Sequence, residues 1–409
     1  MRFLKKMLIA LALIVVLALV KKICTKLSPD THIFHQNLFG SLQLMSLLWA
    51  IFTGLLESVA WKKKSARKAF VKSFIVFGIV IIITELCFAY LLHNPGSIPH
   101  NFTGLFGRYY NVYERDIVQY NRATTAYDTS LFYRLKANNR SVFRNFEFAD
   151  SIFTNNLGLR NKPVDIKKIK TICLGDSYTF GWGVQQDEAF PQQLEKILQA
   201  PVLNTGVSSY GTAREIESIR HLGLQDVENI IIQHCNNDYE ENDIYIKDNY
   251  HLRISPIQVY DSACTILYWG NLYFPGKYFC TISKMVLKGW AAFAGTKKPE
   301  EESGDLMQRG TKDAHSFLEI LKRSGWNFGK TRVIVFSMDE QNKSIPFIAS
   351  LERELALPEN ASFFKGHLLI MHVASLLTPA DYYILDDHLR ASGHAKIARQ
   401  LAGIINAPH

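Results

Sequence analysis

Thr171–Val184 reads TICLGDSYTFGWGV: an apolar run that stops at Gly175, passes through Asp176 and Ser177, and continues to Gly181 and Gly183. Such a run, Lys170 to Leu174, predicts a buried strand that hands the following residues to the carboxyl edge of a sheet, where open α/β folds bind their ligands. Gly, Asp and Ser are also ordinary turn and cap residues, so the triplet alone leaves Ser177 open between a nucleophile and the start of a helix. The surrounding pattern decides the fold. A helix is expected near Asp187 to Gln199, a strand at Pro201 to Asn204, a helix from Thr212 to Leu222 and a strand at Asn229 to His234. A further strand is expected at Thr331 to Phe336 after a helix through AHSFLEILKRSG, and an amphipathic helix, Ala391 to Ile405, closes the chain. Strands alternating with helices predict a parallel sheet covered on both faces. Tyr245 to Arg309 interrupts the alternation as an insertion, with the aromatic stretch YWGNLYFPGKYF and the charged stretch GTKKPEEESGD. No internal repeat is present.

The chain is long enough, at 409 residues, for more than one structural unit and a full-sized core. Its net charge of +9 is unevenly placed: residues 1–72 hold twelve Lys or Arg and only two acids, Asp30 and Glu57, a net +10 that leaves −1 for the rest. With no basic stripe left for the larger part, nucleic-acid binding loses its electrostatic support. The basic segment is also strongly apolar. Ser41 to Ala60 and Ser73 to Leu92 each reach the length of about 20 residues that a helix needs to cross a bilayer. Met7 to Val20 is shorter, about 21 Å as a helix, and could be read as a signal-peptide core. It ends in Lys21 and Lys22 with no small-residue cleavage site, so it is read as a third span. Lys62, Lys63, Lys64, Arg67 and Lys68 join the second and third spans, and the positive-inside rule assigns that connection to the cytoplasm. Everything after Leu92 is then expected outside, on a multi-pass protein of the cell membrane. Glu57 and Glu85 fall within the spans; Glu57 is near the inner boundary and reaches water, whereas intramembrane acids such as Glu85 carry a functional expectation by default.

Three divisions follow: residues 1–92 as a membrane anchor, 93–168 as a lead-in packing on the next domain, and 169–409 as the main domain with its insertion at about 245–309. Six cysteines show no Cys-x-x-Cys or Cys/His ligand spacing, so no metal is indicated. Cys264 and Cys280 lie in one segment on the side expected to be oxidising, which leaves a disulfide between them open. No dinucleotide or phosphate-loop fingerprint appears, and no cofactor is expected.

A serine hydroxyl is a weak nucleophile. It needs a base within hydrogen-bond reach, a group that orients the base, and donors aimed at the developing oxyanion. The strand ends supply each type. NTGVSSYGT follows the second strand, and there Gly206 allows close backbone approach and can present its N–H; HCNNDYEEN follows the third, where Asn237 offers a side-chain amide. DDHLRASGH precedes the last helix, with His388 as base and Asp386 as orienter; in an extended segment, residues two apart share a side, which favours Asp386 over Asp387. His394 is the rival base, but it follows Gly393 at the helix start and is read as structural. The elbow Gly-x-Ser-x-Gly is absent around Ser177.

The ordered set Gly175-Asp176-Ser177, Gly206, Asn237-Asp238, Asp386 and His388 resembles the four sequence blocks of the SGNH (GDSL) hydrolase superfamily, over roughly Ile169 to Ile405, with NNLGLRN upstream similar to a lead-in of bacterial members. The resemblance implies a three-layer α/β/α fold of the SGNH/flavodoxin-like kind and acyl-ester chemistry without a cofactor. It implies Ser177 as nucleophile, His388 as base and then acid, and Asp386 as its support; the oxyanion donors it implies are the Ser177 N–H, the Gly206 N–H and the Asn237 amide. Two positions depart from the pattern. Cys235 stands where the third block has glycine, and Leu385 where the last block often has Asp, although the spacing of Asp386 to His388 also occurs in the family. The expectation is a membrane-anchored serine esterase acting on an O-acyl ester, with a cell-surface polysaccharide as the substrate suggested by location. Transfer of the acyl group to a sugar hydroxyl by the same residues, a lipid ester suggested by Trp269, Tyr273 and Phe274, and a noncatalytic export scaffold stay open. So do the acyl chain, the alcohol and the oligomeric state.

Overall fold

The computed structural model describes residues 2–59, 66–224, 226–294, 303–338 and 346–407. Lys62 to Lys64 and most of GTKKPEEESGD lie outside the described residues. Contacts divide the chain into two compact units, Met1–Arg115 with Ala263–Lys298, and Asp116–Ser262 with Pro299–His409. The boundaries thus differ from those drawn on sequence. The first falls at Arg115 rather than Leu92, and the central part of the insertion groups with the N-terminal unit.

The N-terminal unit begins with α1 (Arg2–Leu27), α2 (His32–Val59), α3 (Ala66–His93) and α4 (Thr103–Tyr113). Three stretches are long and apolar enough to cross a membrane: Met7–Leu27, Pro29–Gly54 and Phe74–His93. The first is longer than the expected Met7 to Val20, because Lys21 and Lys22 are good helix formers and nothing breaks the helix before Pro29. The second starts earlier than Ser41. Leu11, Val16, Ile82 and Leu86 are exposed, as side chains facing lipid would be.

In the second unit the chain forms two antiparallel hairpins, β1 (Thr125–Asp128) with β2 (Phe132–Leu135), and β3 (Arg140–Arg144) with β4 (Ala149–Phe153). There follow β5 (Thr171–Leu174), the single turn α5 (Ser177–Phe180), α6 (Phe190–Leu198), β6 (Val202–Asn204), α7 (Thr212–Ile219), β7 (Asn229–His234) and α8 (Asp238–Lys247). The chain continues through α9 (Ile257–Asn271), α10 (Lys277–Ala294), α11 (Ser303–Lys322), β8 (Arg332–Ser337), α12 (Phe347–Leu355), α13 (Pro358–Phe364), β9 (Leu368–Ile370) and α14 (Ala391–Asn406). Cys264 and Cys280 are both free, and the Cys280 thiol donates to the Ser41 carbonyl at 3.4 Å, so the disulfide left open above is not formed.

Five strands make one parallel sheet in the order β6-β5-β7-β8-β9. Every residue of β7, NIIIQH, is buried, as a central parallel strand covered on both faces requires. Side chains alternate between two cores. Ile172, Leu174, Ile230, Ile232, Val333 and Val335 pack with Ala213 and Ile216 of α7, Phe317 of α11 and Leu351 of α12. Cys173, Ile231, Ile334 and Phe336 pack on the other face with Phe190 and Leu194 of α6 and Ile397 and Leu401 of α14. This is a three-layer α/β/α sandwich. The chain runs from β5 outward to β6, then crosses back to β7, so the order reverses at β5, and the loops after these three neighbouring strands share one edge, where such folds hold ligands.

Candidate active site

Ser177 is the first residue of α5, directly after β5. Asp176 caps that turn, accepting from the Tyr178 N–H at 3.1 Å, while its own N–H donates to Gln233 Oε1 at 3.2 Å. Gln233 belongs to β7, so the neighbouring strand holds the turn in place. As the first helical residue, Ser177 has an N–H without an intrahelical acceptor.

The loop before α14 brings His388 to the same point. Its Nε2 lies 2.7 Å from Ser177 Oγ, and its Nδ1 lies 2.6 Å from Asp386 Oδ1. Asp386 also accepts from the His388 backbone N–H at 3.1 Å, and from Trp182 Nε1 at 3.2 Å. Asp387, more than half exposed, approaches the same Nδ1 at 3.2 Å. Ser177 and His388 expose only 7 % and 4 % of their surface. Burial pulls the imidazole pKa down, but Asp386 and then Asp387 push it up, and the net result is above the ordinary histidine value.

The imidazole sits between two rings from the segment just after the serine. Trp182 stacks on it at 4.6 Å and 12°, and Tyr178 leans on it at 4.8 Å, with the Tyr178 hydroxyl donating to the Asp387 carbonyl at 2.9 Å. Trp182 is in turn set by the hairpin β3–β4, through Phe143 at 4.6 Å in an edge contact and a small core with Val118, Leu135, Ile152 and Phe180. The same hairpin carries Glu147, whose carboxylate accepts from three consecutive backbone N–H groups, those of Ile384 (2.8 Å), Leu385 (2.6 Å) and Asp386 (3.1 Å). Glu147 thereby fixes the loop that presents Asp386 and His388. On the other side of the turn, Arg160 is wholly buried, pairs with Asp150 at 3.2 Å, and donates to the carbonyls of Phe180, Gly181 and Val184. None of Glu147, Trp182 or Arg160 belonged to the candidate set. The signals in the sequence were Trp182, set between Gly181 and Gly183, and the NNLGLRN stretch that carries Arg160.

The donors divide. Asn237 Nδ2 lies 3.4 Å from Asp176 Oδ2, so its amide stands beside the residue preceding Ser177, on the solvent side. Asp238 turns the other way: it is buried, accepts from Thr212 at 3.1 Å, and burial, then Glu215 and Asp176, hold its carboxyl well above the usual range. The Gly206 N–H donates to Asn204 Oδ1 at 2.9 Å. The residue is glycine because the loop presses on α5: a Cβ there would stand 2.3 Å from the Phe180 nitrogen. His394 is a core residue that accepts from the Phe190 N–H at 3.2 Å, its pKa lowered to about 3 by burial, then by Arg160 and His388.

Among the described residues, the one group of three or more metal-ligand side chains brought together is Asp386, Asp387 and His388. There the His388 Nδ1 is already engaged by Asp386. A cleft of about 1020 Å³ elsewhere in this unit is lined by Asn155, Gln192 and Lys196, and Ser177 and His388 are not among its lining residues. A buried hydroxyl, an imidazole and a carboxylate in hydrogen-bonded sequence can deprotonate the hydroxyl as it attacks an electrophile.

No family model matches the chain, and no curated protein matches it. Solved structures similar to part of it include the following three. A protein described as lipolytic and of the G-D-S-L family from Desulfitobacterium hafniense DCB-2 shares 14 % identity over 57 % of this chain and 98 % of its own, with a TM-score of 0.30. A carbohydrate acetylesterase family member from Sinorhizobium meliloti shares 15 % identity over 58 % of this chain and 97 % of its own, with a TM-score of 0.29. A protein described as an arylesterase from Agrobacterium tumefaciens str. C58 shares 16 % identity over 58 % and 98 %, also with a TM-score of 0.29.

Proposed function

We propose that this chain is a membrane-anchored serine esterase of the SGNH kind, which cleaves an O-acyl ester through an acyl-serine intermediate. The observation that carries the reading is the relay of Ser177 Oγ to His388 Nε2 at 2.7 Å and His388 Nδ1 to Asp386 at 2.6 Å. A binding scaffold has no need of a hydroxyl, a base and a carboxylate lined up in this way.

Ser177 Oγ attacks the ester carbonyl carbon while His388 Nε2 takes the hydroxyl proton. The imidazolium that forms is stabilised by Asp386 and covered by Trp182 and Tyr178. The Ser177 N–H, the Asn237 amide and, on release from Asn204, the Gly206 N–H are the donors for the carbonyl oxygen as it becomes negative. His388 then gives its proton to the departing alcohol oxygen, leaving the acyl group on Ser177. A second hydroxyl, deprotonated by the same imidazole, attacks the acyl carbonyl and releases Ser177.

Glycan acyl groups are the substrate class, and the bilayer is the partner of α1 to α3. The lysines between α2 and α3 support an outer location for the catalytic unit. The second hydroxyl is water in an esterase and a sugar hydroxyl in a transferase. The experiment is turnover of a chromogenic acetyl ester with and without an oligosaccharide acceptor. Acetate as the product under both conditions supports hydrolysis. Acetylated oligosaccharide at the expense of acetate moves the reading to transfer, and no turnover of acetyl to long-chain esters would refute ester chemistry.

A further inference from the structure

Glu85 is an acid in an apolar span and is not part of the chemistry above. Within the N-terminal unit its carboxylate accepts two hydrogen bonds, one at 2.8 Å from the Tyr273 hydroxyl and one at 2.8 Å from the Phe279 backbone N–H. Phe279 is the third residue of α10, and so carries one of the N–H groups that a helix start leaves without an internal partner. Glu85 is therefore a cap supplied by one helix to the start of another.

The depth of that contact is informative. Glu85 lies near the middle of Phe74–His93, about 12 Å along the helix from the His93 end. Ser41, whose carbonyl accepts from the Cys280 thiol, lies near the middle of Pro29–Gly54. Phe279 packs with Phe77 at 5.8 Å and with Trp49 in one core, and at Gly276, whose φ is +89°, a Cβ would stand 1.8 Å from the Met45 methyl. Towards the other end of the span, Phe34 meets Trp269 at 6.5 Å and Phe274 at 6.2 Å. Gly276 and the start of α10 thus sit halfway along the spans, while Trp269 and Phe274, earlier in the chain, lie nearer the end of α2 that carries Pro29.

We infer that the end of α9 from Ala263, the Leu272–Gly276 turn and α10 form a re-entrant hairpin, whose uncovered faces contact lipid acyl chains and which Glu85 anchors between α2 and α3. The inference rests on the membrane reading of α1 to α3. Irregular backbone at this depth is tolerated only where protein satisfies its polar groups, and Glu85 does this for the Phe279 N–H at the start of α10. The faces turned away from α2 and α3 are apolar: Ile266, Tyr268, Val286 and Leu287 are each more than half exposed. Lys284 and Lys288, one helical turn apart on α10, are exposed and long enough to reach headgroups.

The full-length protein in phosphatidylcholine and phosphatidylglycerol vesicles that contain a phospholipid with a diazirine in its acyl chain tests this, with adducts mapped by peptide mass spectrometry. Adducts on peptides carrying Ile266 and Val286–Leu287, within about threefold of those on α3, are the expected result. Adducts on α1 to α3 alone would overturn the hairpin and leave the anchor standing. No adduct on α1 to α3 would overturn the anchor reading first, and the hairpin with it. In Glu85→Leu the hairpin adducts are expected to fall at least fivefold relative to those on α3, and in Glu85→Gln, which retains an acceptor, to stay within twofold of wild type. Equal hairpin labelling in wild type and Glu85→Leu would refute the anchoring role.

Discussion

Glu147 holds the loop that carries the base, and Glu147→Gln isolates that service from packing, since the two side chains have nearly the same shape. In the native protein Oε1 takes the Ile384 N–H, and Oε2 takes those of Leu385 and Asp386. A glutamine can give two of these N–H groups a neutral carbonyl oxygen, but must then turn its own amide donor toward the third. A hydrogen bond to a charged group contributes about 1.5–3 kcal/mol and a neutral one about 0.5–1.5, so two weakened bonds and one lost bond cost about 4–5 kcal/mol of loop order. A displacement of the imidazole of ~1 Å is enough to cost about 10²-fold in rate. The expected outcome is a kcat on a chromogenic acetyl ester lowered by about 10²-fold with KM changed by less than about threefold, together with faster amide exchange at Leu385 and Asp386. Glu147→Asp, which keeps the charge on a shorter arm, should fall between the two. Wild-type kcat and unchanged exchange in a folded Glu147→Gln variant would refute the reasoning.

Two further outcomes follow from the buried acids. His388 has a pKa raised by Asp386 and Asp387 against the pull of burial, so its neutral, proton-accepting form is reached only above the ordinary value of about 6.5. The pH profile of kcat/KM should therefore rise through a midpoint above that value. Asp386→Asn should lower the rate by about 10²–10⁴-fold and move the midpoint of the residual activity to lower pH; an unmoved midpoint would contradict the assignment. Asp150 has its pKa pushed up to about 7 by burial, against the pull of Arg160. A carboxyl whose folded value lies above its unfolded value of about 3.9 adds stability below that lower value and loses it as pH rises through the folded one. The unfolding free energy of wild type relative to Asp150→Asn should thus decline between about pH 4 and 7 and level off above, as read by denaturant titration; a flat difference would contradict it.

The sheet was legible where burial on both faces leaves a plain signature: the IIIQ of β7 and the apolar run of β5 announce central strands. β9 was missed because three residues carry no periodicity, and its pairing to β8 is a long-range fact. Asp386 was named from the two-residue period of extended chain, but Ile384 to His388 is a run of bends, and the Asp386 carboxylate reaches both the His388 N–H and its ring across that bend. The resting partner of the Gly206 N–H was not legible, because a sequence gives the freedom of a glycine but not which acceptor its amide meets; here Asn204, two residues earlier, takes it. Glu147 and Trp182 were hidden for the same kind of reason. Each acts on a loop more than two hundred residues away in the chain, and nothing in the sequence around either names that partner. The first span was underestimated because lysines were read as an end, although they continue a helix until a proline stops it.

The central claim is that His388 makes the Ser177 hydroxyl a nucleophile. Reaction of the full-length protein with a fluorophosphonate, followed by peptide mass spectrometry, tests it most directly. One adduct on Ser177, absent from Ser177→Ala and formed at least 10²-fold more slowly in His388→Ala, is the predicted result. An adduct on another residue, or none on the folded wild-type protein, would contradict it.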